Sequence, residues 1–480
     1  MPALLLLLSF GLTDAAQAAS VTLKPTDDVK TLTSSLAPGD VITFSAGTYE
    51  ITERLDWSGL GTAEQPIVLK AAEGAEVILV SSVNDQAIRI YESSYLTVQG
   101  LTLVGAEGWE DGTISPGGIR IESSTNITVT DMAFEELWRT AVYFYGDNST
   151  ITFTNNEIGD IVDGYGMYIG CGDASCWTQD SLIAENLIHD LRDDGGYGIY
   201  LEHGCQNNVV RDNVMYNLSY RGLLVASTEY GLPNVIEGNA MWGVTDLGMY
   251  IAGSALVRNN LVFNTGSYGV YTKQNSRGTL ADAVISHNTI ANTTREGLYV
   301  EGWATLTGMV LANNVVSNPV GDAFYAGAGQ LDEGNYISGN VMTGKVDGLD
   351  PLLGHFIPGH GDADFVDATG WDFYPSSASV LVGAADPAGE AYVPATDFNG
   401  DEGTDTIIGG IGGDVLCGGG YSTLPDSFDG MDGSDDICGT SGGQEVGTAG
   451  AGFDRCFDSS SLVDSCGTSL SEAYCSAICP

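Results

Sequence analysis

Between Tyr143 and Tyr325 the chain repeats one short line in which apolar residues alternate with others. Ala141-Val-Tyr143-Phe, Gly166-Met-Tyr168-Ile, Gly198-Ile-Tyr200-Leu, Gly222-Leu-Leu224-Val, Gly248-Met-Tyr250-Ile, Gly269-Val-Tyr271-Thr, Gly297-Leu-Tyr299-Val and Ala323-Phe-Tyr325-Ala are its eight copies. A second line, an asparagine followed by apolar residues, precedes each copy by about twelve residues. Its asparagines are Asn156, Asn186, Asn213, Asn239, Asn260, Asn288 and Asn314, with Asn340 after the last copy. The spacings of these asparagines cluster near 26 residues, with extremes of 21 and 30. Alternation over four to six positions reads as a half-buried strand. A period this short has no room for helices beside two or three such strands, so the repeat predicts a solenoid. Successive coils must then pair as parallel sheets, each touching only its neighbours. The expected fold class is all-β, a right-handed parallel β-helix.

The alternation also sorts the side chains. Val142, Met167, Ile199, Leu223, Met249, Val270, Leu298 and Phe324 are expected to fill the bore. Tyr143, Tyr168, Tyr200, Tyr250, Tyr271 and Tyr299 then face outward as a ladder, one coil apart at about 4.8 Å. Two residues further on, the next outward column holds Tyr145, Gly170, Glu202, Ala226, Ala252, Lys273, Glu301 and Gly327. Such a ladder serves either as aromatic stacking for stability or as a platform for sugar rings, since amphipathic rings suit sugar faces. Glu202, Lys273 and Glu301, separated by small residues, favour a groove. The recurrent asparagine is expected in a tight turn, with a left-handed backbone, stacked coil on coil.

Residues 1–18 read as an export signal, with Leu4 to Leu8 as apolar core and Ala16-Gln17-Ala18 as cleavage site. Residues 19–50 read as an N-terminal cap, with a helical run from Asp27 to Leu36 over the open end of the bore. The coils are expected over 51–345, and a closing segment over 346–396. Pro38-Gly39-Asp40-Val41-Ile42 with Ala46-Gly47-Thr48-Tyr49 resembles the start of many secreted pectate-lyase-like β-helix proteins. No later apolar run reaches the roughly 20 residues of a membrane span.

The balance of 16 basic against 63 acidic residues, net −47, excludes nucleic-acid binding as a main role. A secreted or cell-surface monomer is expected. Seven of the 16 basic residues lie between Arg192 and Arg295, as an acidic polysaccharide partner would need. Export implies disulfides. Cys171–Cys176 is the preferred pair, with Cys171–Cys205 the alternative.

From Asp397 the composition shifts to Gly, Asp, Ser and Cys, and 397–480 reads as a separate tail. Gly400-Asp-Glu-Gly403-Thr-Asp405 and Gly409-Gly-Ile-Gly412-Gly-Asp414 open two adjoining nonapeptides, with looser copies around Asp435 and Asp454. Tyr421 to Phe428 interrupts them. The segment resembles the RTX calcium-binding β-roll. The resemblance implies Ca²⁺ held by Asp405, Asp414, Asp435 and Asp454. Asp160, Asp163, Asp190, Asp193 and Asp194, on consecutive turns, are a possible second Ca²⁺ site.

An exported β-helix with such a tail is similar in architecture to the mannuronan C-5 epimerases and related polysaccharide lyases. Their Asp-Pro-His run is absent, so no residue is carried over. Both chemistries need a base for the proton beside a uronate carboxylate and a cation to neutralise that carboxylate. Lys273 is the candidate base, beside Glu301, with Arg277 and Arg295 expected to lower its pKa. Arg221, Glu202 and the tyrosines are the candidate substrate contacts. The competing class is a non-catalytic glycan-binding or surface-structural protein.

Overall fold

The computed structural model describes residues 18–385, apart from 111, 174, 194, 228–230, 277, 307, 328–330, 332–333, 349–355 and 383, together with seven short strands between Thr406 and Ser469. The candidate export signal lies almost wholly outside the described residues, as do Asp194, Arg277 and the four tail aspartates.

Residues 20–358 form a right-handed parallel β-helix with three faces. The tyrosine sheet has 12 strands, from Leu55–Trp57 to Val346–Asp347. A second sheet of 15 strands begins at Ser20–Leu23, and a third of 13 ends at Ile357–Pro358. Every ladder between coils is parallel, for example Met249 opposite Val270 and Val270 opposite Leu298. The first strands, Ser20–Leu23, Val41–Phe44 and Gly47–Ile51, already pair with later coils. The expected N-terminal cap is therefore mostly coil, and its helix shrinks to Val29–Leu32 with Asp28 as N-cap.

All eight residues expected in the bore are at most 1% exposed. Complete burial of each such side chain stabilises by about 1.5–3 kcal/mol. Glycine recurs before the bore residue because adjacent coils nearly touch there. A Cβ on Gly198 would lie 2.6 Å from the Gly222 carbonyl oxygen.

The recurrent asparagine is not the left-handed residue. That role falls to the residue just before it: Asn155, Glu185, Asp212, Asn259, His287 and Asn313 all have φ between 52° and 59°. The asparagine itself points inward and is buried. The Asn260 backbone N–H and Nδ2 both donate to Asn288 Oδ1, at 3.0 and 2.9 Å, and the pattern runs from Asn156 to Asn340. A second left-handed column four residues on holds Asp160, Asp190, Asn217, Gly243, Asn264, Asn292 and Asn318. Asp and Asn tolerate this conformation where most residues do not.

After the last coil, Phe365–Asp367 and Asp372–Pro375 form an antiparallel pair. In the tail, Thr406–Ile408, Ser427–Asp429 and Val446–Thr448 form one parallel sheet, and Val415–Cys417, Asp436–Cys438, Arg455–Phe457 and Thr468–Ser469 another. The sequence interruption does not break the pattern: Ser427–Asp429, at its end, pairs in register with Thr406–Ile408.

Candidate functional site

The tyrosine column is in register as expected. Tyr143 stands opposite Tyr168, Tyr168 opposite Tyr200, Tyr250 opposite Tyr271, and Tyr271 opposite Tyr299. Upstream the same column continues as Arg120 and Arg89.

The column is not an open platform along its length. Tyr200, Leu224 and Tyr250 are 5%, 2% and 7% exposed, and Ala226 and Ala252 are fully buried. Two sets of residues seal this middle. One is a neighbouring outward column, three residues ahead of each tyrosine: Tyr165, Tyr197, Leu247 and Tyr268 pack against the ladder. Arg221 belongs to it, with Nε 3.0 Å from Asp246 and its guanidinium over the Tyr220, Tyr250 and Tyr197 rings. The other is a loop after Lys273 that folds back over the two alanines. Asn275 N–H donates to the Gly278 carbonyl, and Thr279 N–H to the Ser227 carbonyl. The groove expected at the small residues of the outward column is thus filled, over Ala226 and Ala252, by the chain itself.

Glu202 is fully buried within this sealed part and accepts a 2.8 Å hydrogen bond from the Tyr168 hydroxyl. Its neighbour His203 is partly exposed. The Cys171–Cys176 disulfide is formed and Cys205 is a buried free thiol.

Beyond the sealed stretch the face reopens. Lys273 Nζ lies 2.7 Å from Glu301 Oε1, with side chains 45% and 30% exposed. The Tyr271 hydroxyl donates to Glu301 Oε2 at 2.9 Å. Lys273 has a raised pKa, chiefly through its hydrogen bond with Glu301. That is the opposite of the lowering expected of a base. Arg295 does not oppose it, being stacked on Tyr268. Burial pushes the Glu301 carboxyl up, but hydrogen bonds from Lys273, Tyr271 and Tyr299 outweigh it and hold the pKa below the ordinary value. Burial first, then Glu301, push the Tyr271 phenol well above its usual range, so it stays protonated. The open site at rest is a cation, a carboxylate and a neutral phenol in contact.

The turn aspartates lie on the third sheet, away from this set. Asp160 accepts from Arg192 at 2.8 Å, and Asp190 from His189 at 2.9 Å. Asp163 is exposed on the following turn, and Asp193 has φ 61°. Among the described residues no three His, Cys, Asp or Glu side chains are placed to hold a metal ion. Asp160 and Asp190 share the left-handed column with Asn and Gly of other coils, which accounts for them without a metal.

Sequence reading missed the sealing column, although Tyr165-Gly, Tyr197-Gly and Tyr268-Gly are a visible repeat. It also missed Arg89 and Arg120, whose strands Ile88-Arg-Ile and Ile119-Arg-Ile carry the same parity as the tyrosines.

Residues 74–240 match a family described as a right handed beta helix region, and residues 171–348 match the periplasmic copper-binding protein (NosD) family. No curated protein matches the chain. Among solved structures, an alginate lyase from Paenibacillus sp. str. FPU-7 is similar at 14% identity and a TM-score of 0.45, over 65% of this chain and 99% of that one. A mannuronic acid specific polysaccharide family 6 lyase from human gut microbiota gives 15% and 0.45, over 71% and 91%. The catalytic domain of an alpha-1,3-glucanase in complex with nigerose gives 13% and 0.43, over 67% and 69%. At these identities the likeness is one of fold. Among the described residues no helix is long and apolar enough to cross a membrane.

Proposed function

We propose that the protein is an exported lyase or epimerase of a uronic-acid polysaccharide, with Lys273, Glu301 and Tyr271 as its reacting set. The observation that carries the reading is their mutual contact where the tyrosine face reopens beyond its sealed stretch. The raised Lys273 pKa moves the base role away from the lysine and makes it the partner of the substrate carboxylate. A uronate that pairs with Lys273 draws it from Glu301. Glu301 then loses the largest of the hydrogen bonds that hold its pKa down, together with the lysine charge, and becomes the stronger base. It takes the proton from the carbon bearing the carboxylate, while neutralisation by Lys273 stabilises the charge that develops. The electron pair forms the new carbon–carbon double bond and expels the glycosidic oxygen on the next carbon. Tyr271, still protonated, gives that oxygen its proton. An epimerase would instead return a proton to the opposite face of the same carbon.

Incubation with a panel of polyuronates, following the absorbance of the unsaturated product, tests this. Lys273→Ala is expected to lose about 100-fold or more in turnover, as when one preorganised charge partner is removed. Lys273→Arg is expected to keep a measurable part, because arginine still neutralises a carboxylate. Equal loss in both variants would return the base role to Lys273. No product from wild type on any polyuronate would favour the non-catalytic glycan-binding class. The sealed centre of the tyrosine face, with Tyr200 and Tyr250 buried, favours the structural member of that class over a glycan platform.

Export is part of the same reading, supported by the apolar N-terminal stretch and by the Cys171–Cys176 disulfide. Calcium binding by the tail is a separate proposal. Alternation of its strands between two small parallel sheets supports it, because a roll of this kind brings turns of neighbouring coils together. Chelation should then speed proteolysis after Asp397 and spare the β-helix; an unchanged digestion pattern would reject it.

A further inference from the structure

We infer that the loop following Lys273 walls off one end of the substrate trough, so that the protein acts from a glycan chain end rather than along its length. This rests on the reading that the trough at Lys273 and Glu301 takes a uronate glycan. The wall stands next to the reacting set. Tyr250 and Ala252 lie one coil from Tyr271 and Lys273, about 4.8 Å away, and are 7% and 0% exposed.

The loop is fitted to its seat. A Cβ on Gly278 would lie 2.5 Å from the Ala252 carbonyl oxygen and 2.9 Å from Ala226 Cα. Only glycine on the loop, over alanines on the sheet, permits so close an approach. Asn275 Nδ2 reaches the Tyr250 hydroxyl at 3.4 Å, and Leu280 is fully buried. The seat is two coils long, so a glycan following the tyrosine column meets a barrier about 10 Å deep, not a single side chain. On the other side of the reacting set the outward column continues through Tyr299 to Tyr325, both partly exposed. Sugar units therefore fit on that side of the bond to be broken, and scarcely any on the walled side.

The decisive measurement is the size of the products on whichever polyuronate is turned over. Wild type should release short products from the first minutes while polymer length and viscosity hardly fall. An early ladder of intermediate lengths would overturn the inference while leaving the lyase reading intact. Gly278→Val, which cannot seat without lifting the loop, should shift the products toward that ladder. A folded Gly278→Val with the wild-type product profile would also overturn it. A second measurement does not need turnover: binding of an oligouronate carrying a bulky dye at one end or at the other. A walled trough loses affinity at least tenfold for one blocked end and keeps it for the other. Equal binding of both forms would show an open groove, and binding of neither would reject the lyase reading together with the wall.

Discussion

The β-helix carries two aromatic ladders on different faces, and they are built differently. On the third sheet His189, Tyr216, Trp242 and Phe263 follow in register. Their rings lie nearly flat on one another, 5.1, 5.1 and 5.4 Å apart with interplanar angles of 9°, 11° and 17°. The chain's own closing segment covers the far end: Trp371 leans on Trp242 and Phe263, and Phe373 on Phe263. Trp371 does so from a left-handed backbone at φ 70°, which costs about 1–2 kcal/mol. On the tyrosine sheet most successive rings meet edge to face, at 82° for Tyr143 and Tyr168 and 76° for Tyr299 and Tyr325. Its hydroxyls reach carboxylates, Tyr168 to Glu202, and Tyr271 and Tyr299 to Glu301. Flat stacking uses up the ring faces and yields a structural spine. Tyr271, stacked at 24° on Tyr250, nonetheless turns its hydroxyl to Glu301, so the contact of the hydroxyl rather than the angle of the ring makes chemistry available. An aromatic ladder alone is therefore no sign of a binding platform; what its polar atoms touch decides.

The sharpest contrast comes from removing a carboxylate on each face. Glu301→Gln should cut turnover by about 100- to 10,000-fold, the range of general acid–base contributions. Glu157→Gln, beside His189, should leave turnover unchanged. Comparable losses in initial-rate assays would erase the distinction.

Next in size is stability. Trp242→Ala breaks the spine between two stacked neighbours and is expected to cost about 2–4 kcal/mol in denaturant unfolding, with no change in the turnover of the folded protein. Tyr271→Phe keeps ring packing and should cost less than about 1.5 kcal/mol, while lowering turnover. The reverse pattern would exchange the roles assigned to the two faces.

The smallest effect is a pH dependence confined to the spine. Burial alone lowers the His189 pKa, but hydrogen bonds with Glu157 and Asp190 outweigh it and leave it raised. A histidine raised on folding stabilises fully below its unfolded value, and that contribution fades as pH climbs through the folded value. Melting curves between about pH 5 and pH 8 should show this fall in wild type. His189→Phe, which keeps the stack, should flatten it; identical profiles would place the pH sensitivity elsewhere.

The sequence alone determined the coil. Side chains alternate strictly along a strand, so the parity of Met249, Val270 and Leu298 against Tyr250, Tyr271 and Tyr299 settles which set is buried and which forms the outward column. The coil spacing then brings Lys273 next to Glu301. Parity says only on which side of the sheet a residue lies, and three decisions needed more than that. Asn260 lies inside the turn with its side-chain amide bonded to Asn288 of the next coil, whereas Asn259 beside it takes the left-handed backbone. The Lys273 pKa moved up, because a carboxylate 2.7 Å away outweighs the remaining surroundings. The gap over Ala226 and Ala252 closed, because a loop from a later coil doubled back and its Gly278 fitted there without a side chain. That last contact lies outside the ladder register, in which Ile251 stands opposite Thr272 and Ala252 therefore meets Lys273 rather than Gly278, so only the packed structure could reveal it.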